Sequence, residues 1–108
     1  MIYELRIYHA VPGKLPALVK RFETITLKMW EKHDIRQVGF WTSVISESNN
    51  DLYYILEWQN LAEREQKWNA FMSDPAWVKA KADTEVDGPL STHITNSILT
   101  PTSFSKLK

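Results

Sequence analysis

The stretch "IYELRIYH", residues 2–9, sets a carboxylate, a guanidinium and a phenol at every second position. In a strand, Glu4, Arg6 and Tyr8 share one face with Ile2, while Tyr3, Leu5, Ile7 and His9 take the other. A second alternation lies in "LYYILEW", where Tyr53, Ile55 and Glu57 interleave with Leu52, Tyr54, Leu56 and Trp58. If the two polar faces coincide, Glu4, Arg6, Tyr8, Tyr53 and Glu57 converge, with His93 of a later strand nearby. Such a cluster can bind a carbonyl or carboxylate and tune a proton transfer, which makes Arg6, Tyr8 and Glu57 the catalytic candidates. Glu4, Trp41, Tyr53, Trp68 and His93 are the companion candidates for ligand binding. The more economical reading of the same residues is an ion-pair and hydrogen-bond network that satisfies buried polar groups. The expected partners of Arg6 are Glu4 and Glu57, and those of Arg64 are Glu57 or Glu65.

Other chemistries find less support. His9, His33 and His93 fall on three different elements without metal-ligand spacing, so no metal site is expected. His33 continues an apolar helical stripe and reads as a partly buried helix-end residue, and it is the fallback candidate for a haem ligand. No nucleophile–base triad, phosphate-binding glycine loop or dinucleotide fingerprint is present, and three glycines in 108 residues leave little room for one. The chain has no cysteine, which excludes disulfides and thiolate chemistry. No metal, flavin or nucleotide cofactor is therefore expected. Five tryptophans and four tyrosines are many for this length. Trp30, Trp68 and Trp77 on helices, with Trp41 and Trp58 on strands, suit an aromatic pocket for a planar ligand, or equally a core and an interface.

These residues must be held by a single domain, given the length. Thirteen basic residues balance thirteen acidic ones, so neither nucleic acid nor an anionic membrane is an expected partner. The opening residues read as strand rather than as a leader, and no apolar run approaches a membrane span, so the expected location is cytoplasmic. Strand one breaks at Pro12-Gly13. Leu15, Leu18, Phe22, Ile25 and Met29 then form one helical stripe, with Pro16 tolerated in the first turn. "IRQVGFWTSVI" and "LYYILEWQ" read as a hairpin joined by "SESNND". Asn60 and Glu63 have capping-box spacing for a second helix, and Asp74-Pro75 opens a further short one. "LSTHITNSIL" is a fourth strand, with His93, Thr95 and Ser97 on one face. The order β-α-β-β-α-β is the ferredoxin-like unit of the α+β class, an antiparallel four-stranded sheet with strands one and three central. Residues 1–100 make the domain and 101–108 a short polar tail. Two helices cover one side of such a sheet. The other side asks for a partner, and a second copy in a face-to-face homodimer is the economical one.

Several stretches, in this order, resemble one family: "YELRIY", "PGKLPALVKRFE", "KH", "VGFWTS", "LEWQNLAERE" and "DPAW". Together they are similar to the NIPSNAP family over about residues 2–100. The resemblance implies two ferredoxin-like protomers pairing into a dimeric α/β-barrel. It implies little mechanism, because the family has no settled activity. Related dimeric barrels include cofactor-independent monooxygenases, haem-degrading monooxygenases and small-molecule isomerases, many with a pocket between the sheet and its own helices. Two functional expectations follow. The first is a small apolar or aromatic ligand bound in a pocket lined by the central strands, with cofactor-independent monooxygenase or isomerase chemistry. The alternative is a non-enzymatic homodimeric module that docks partner proteins through aromatics on its outer helices.

Overall fold

Gly13, at a φ of 84° that an L side chain rarely adopts, turns the chain out of β1 (Ile2–Ala10) toward the first helix. The computed structural model describes residues 1–108. After β1 come α1 (Leu15–Arg21), a π-helical turn (Phe22–Thr26), α2 (Leu27–Lys32), β2 (Arg36–Thr42) and β3 (Asp51–Trp58). The chain continues with α3 (Leu61–Met72), α4 (Pro75–Thr84) and β4 (Ser91–Leu99). The sheet order is β2-β3-β1-β4, every pair antiparallel, which is the expected ferredoxin-like arrangement with β1 and β3 central. Helices and sheet form a two-layer slab whose Cα envelope measures 45 × 36 × 19 Å. No helix is long and apolar enough to cross a membrane.

The caps are the ones the sequence signals. The Asn60 side chain accepts the Glu63 N–H at 2.9 Å, and Glu63 in turn accepts the Gln59 N–H at 3.0 Å. Asp74 accepts the Ala76 N–H at 2.9 Å and starts α4 with Pro75 in its first turn. One helical feature departs from expectation. The π turn inserts an extra residue between α1 and α2 and shifts the phase of everything after it. Leu18 and Phe22 are buried as the stripe predicts, but Thr26 and Trp30 then occupy the core where Ile25 and Met29 were expected. A straight 3.6-residue period cannot anticipate such an insertion.

Register decides which face is which. In the β1–β3 pair Glu4 lies opposite Leu56, Arg6 opposite Tyr54 and Tyr8 opposite Leu52. Residues directly opposite share a face, so the polar alternation of β1 lies over the apolar alternation of β3. The helix-covered face thus carries Glu4, Arg6 and Tyr8 together with Leu52, Tyr54, Leu56 and Trp58. The open face carries Leu5, Ile7, Tyr53, Ile55 and Glu57. The two polar rows expected to coincide are on opposite sides of the sheet. Each strand's period was legible, but their relative phase was not, and an offset of one residue exchanges the faces. On β2, Phe40 lies opposite Tyr54 on the helix side, and Trp41 lies opposite Tyr53 on the open side. Trp41 is half exposed and folds over Gly39, where a Cβ would come within 2.9 Å of the indole. On β4, Asn96 and Ile94 pair with Arg6 and Tyr8, whereas His93 pairs with His9 on the open side.

Candidate functional site

Glu4 is fully buried at the centre of the helix-covered face. Its two oxygens accept from Arg64 Nε and Nη2 at 2.7 and 3.0 Å, from Arg6 Nη1 at 3.1 Å, from Trp58 Nε1 at 3.1 Å and from Asn96 Nδ2 at 2.9 Å. Burial alone would raise its pKa. The hydrogen bonds from Arg64 and Asn96 and the charges of both arginines outweigh it, and the carboxyl is held down at about 2 against an ordinary 4.5. Glu4 is an anion at any working pH, and it anchors β1, β3, β4 and α3 at one point. Arg64 therefore grips Glu4 side-on with both nitrogens, and not Glu57 or Glu65 as expected.

Arg6 is the next residue along that face. Its Nε donates to the Tyr54 hydroxyl at 2.7 Å, and its guanidinium lies 4.5 Å from the centroid of the Trp68 ring. Burial works against its charge, but Tyr54, Tyr8 and Glu4 outweigh it, so its pKa rises and it is a permanent cation. Burial, with Tyr8 adding to it, pushes the Tyr54 phenol well above its usual range despite Arg6. Tyr54 stays protonated. The expected Arg6–Glu4 pair is present, and the expected Arg6–Glu57 pair is not. Glu57 pairs instead with Arg36 at 3.3 Å on the open face.

Beyond Arg6 a cavity of about 290 Å³ opens between sheet and helices. Arg6, Tyr8, Phe22, Trp30, Trp68 and Phe71 contribute to its wall. It is close to the lower end of small-molecule site volumes and has room for roughly ten water-sized units. Both ends of the π turn, Phe22 and Thr26, face this space, in keeping with the frequent placement of such turns at functional sites. Its charged wall residues are Arg6, Arg21, Lys81 and Glu85, an excess of two positive charges in a chain of zero net charge. Arg21 is buried and reaches Thr84 Oγ1 and Glu85 Oε2 through Nη1, both at 3.4 Å. Its Nε has no hydrogen-bond partner, and neither has the Nε1 of buried Trp30. A buried donor left without an acceptor costs about 1–3 kcal/mol.

Of the residues singled out from sequence, Arg6, Tyr8, Trp30, Trp68 and Trp77 meet at this cavity. Glu4 stands behind Arg6 as its anchor. Trp41, Tyr53, Glu57 and His93 are on the open face, so the expected convergence does not occur. There, His9 and His93 stack with centroids 4.1 Å apart, and Asp51 contacts His9 Nδ1 at 3.0 Å. His33 sits at the end of α2 as expected, with Nε2 2.8 Å from Asp74, and is not part of the cavity wall. Arg21, Thr26, Lys81 and Glu85 also line the cavity and belong to no motif in the sequence. Arg21 had one signal: three residues after Leu18 and beside Phe22, it falls on the buried side of the stripe.

The NIPSNAP family model matches residues 3–106. The chain belongs to the NIPSNAP family. A NIPSNAP family protein of unknown function from Agrobacterium tumefaciens is 29% identical, with a TM-score of 0.87 over 100% of this chain and 94% of that one. An uncharacterized NIPSNAP domain protein from Burkholderia xenovorans is 24% identical, with a TM-score of 0.84 over 97% and 98% of the two chains. More distantly, a putative antibiotic biosynthesis monooxygenase from Nitrosomonas europaea shares the fold at 9% identity and a TM-score of 0.63, over 94% of this chain and 98% of its own. No curated protein matches the chain.

Proposed function

We propose that this NIPSNAP protein binds a small, largely apolar molecule in the cavity between its sheet and its helices. The observation that carries the reading is that the cavity combines an aromatic wall with a permanent cation, Arg6, held in place from behind by Glu4 and Tyr54. Trp68 and Phe22 supply area, and Arg6 supplies orientation for a carbonyl or hydroxyl oxygen. Tyr8 is the residue for acid–base work, since it lines the cavity, with its phenol in the same hydrogen-bonded cluster as Arg6 and the buried Tyr54. The chemistry such a pair serves is proton transfer on an enolisable substrate, the isomerase side of the expectation. Thermal shift against phenols, quinols and acyl compounds tests the binding. A ligand at a hundredfold excess over Kd stabilises by about 2.7 kcal/mol. Ile94→Trp, which narrows the cavity from β4, should abolish the shift. Equal shifts in both proteins would sink the cavity as the binding place.

The docking alternative has less to rest on. Trp30 and Trp77 are buried and Trp68 is half-buried, so the helices offer partners Leu61, Met72 and Val78 rather than aromatics. For the open sheet face we propose a second copy of the chain. Support comes from Leu5, Ile7, Tyr53 and Ile55, none of them fully covered, beside a half-exposed Trp41. Sedimentation velocity at micromolar concentration should give a dimer, and a single monomer species would remove this reading.

A further inference from the structure

The donors around the cavity outnumber the acceptors, and they have a pattern. Arg64 shows what a free guanidinium edge does in this protein: its Nε and Nη2 take both oxygens of Glu4. In Arg21 the same edge is idle. Both Arg21 hydrogen bonds leave from Nη1, and Nε is buried without a partner. Trp30, on the same cavity wall, keeps a second buried donor, Nε1, equally unpartnered. Lys81 adds a charge, because Glu85, four residues further on, is engaged by Arg21. A planar fork, a lone N–H and an ammonium, with two surplus positive charges, suit an anion with two oxygens in one plane.

Resting on the cavity reading above, we propose that the ligand is an organic carboxylate. Neither Arg21 Nε nor Trp30 Nε1 has surface open to the cavity, so binding takes a small shift of these two side chains. After that shift the idle edge of Arg21 holds the carboxylate group with help from Trp30 Nε1 and Lys81, and the apolar body lies toward Phe22, Trp68 and Phe71. A phosphate would bring more charge and acceptors than this side-on edge and one indole can meet, in a space whose wall is mostly apolar.

The test compares acids with neutral amides of the same shape: 2-naphthoate with 2-naphthamide, and 3-phenylpropanoate with its amide. Calorimetric titration of the full chain should give Kd values at least tenfold lower for the acids. Arg21→Gln should bring each acid to within about twofold of its amide, and should weaken the amide, whose carbonyl also accepts from the guanidinium, far less than the acid. Because Arg21→Gln leaves Glu85 without its cation and can impair folding, a wild-type measurement runs beside it. In a ¹H–¹⁵N spectrum the Trp30 indole resonance, identified by its loss in Trp30→Phe, should move on adding the acid and not the amide. Lys81→Gln, on a half-exposed residue, should weaken the acid several-fold and spare the amide. Acid and amide binding alike, or an acid that leaves the Trp30 indole unmoved, would overturn the carboxylate assignment while the cavity reading stands. Binding of neither member of either pair would overturn both.

Discussion

Replacing Glu4 with glutamine tests the anchor on which the cavity wall depends. The variant keeps the side chain's shape and one acceptor oxygen, but it sets an NH₂ group among donors from Arg6, Arg64 and Asn96. It also removes the one carboxylate shared by two arginines. The gap between the ordinary 4.5 and the folded value of about 2 corresponds to about 3 kcal/mol of stability at neutral pH. That agrees with the 3–5 kcal/mol typical of breaking a buried ion pair by deleting one partner. At roughly 4–8 °C per kcal/mol for a small domain, Glu4→Gln should melt about 12–24 °C below wild type. The sign with pH follows from the depressed folded pKa. The contribution is full above the unfolded value of 4.5 and is lost as the pH falls through the folded value of about 2, below which Glu4 is protonated in folded and unfolded chains alike. Urea unfolding of both proteins, followed by tryptophan fluorescence at several pH values, isolates this group, because other carboxylates titrate identically in the two. The stability gap should be largest at neutral pH and should close through the acid window. A gap that is absent at neutral pH, or that stays constant as the pH drops from 5 to 2.5, would refute the anchor argument.

Arg6→Ala should cost about 2 kcal/mol or more in urea unfolding, because it takes one of two arginines from Glu4, which keeps Arg64, and the cation from over Trp68. An unchanged midpoint would mean that Arg6 is merely solvated. Leu5→Asp and Ile7→Asp put charge on the open sheet face, and should turn a dimer into a monomer in sedimentation velocity. If both variants sediment as wild type, the partner copy does not sit there. Asn60→Ala removes the α3 cap and should cost about 1 kcal/mol, with Asn60→Gly costing a few tenths, read from denaturation midpoints. Equal losses for the two would show that the side-chain cap is not what stabilises the start of α3.

Local physics made much of this protein legible from its sequence. Element order, the Gly13 turn, the Asn60 and Asp74 caps and the two-residue alternation of β1 and β3 all depend on neighbours a few positions away, and those neighbours are written in the chain. The six stretches that resemble the NIPSNAP family lie in the same readable layer. What the tertiary structure decided was phase. Whether Glu4 and Arg6 share a face with Glu57 or with Leu56 turns on a pairing register between strands some fifty residues apart in sequence, and no local preference sets it. The π turn did the same within one helix. An inserted residue moved Thr26 and Trp30 into the core, and made Trp30 part of the cavity wall. Arg21, Lys81 and Glu85 meet only because the C-terminal end of α4 comes beside the last residue of α1. Singly, each reads as an ordinary charged helix residue. The anchor and the cavity are properties of that packing, since long-range register and helix placement determine which side chains leave water together.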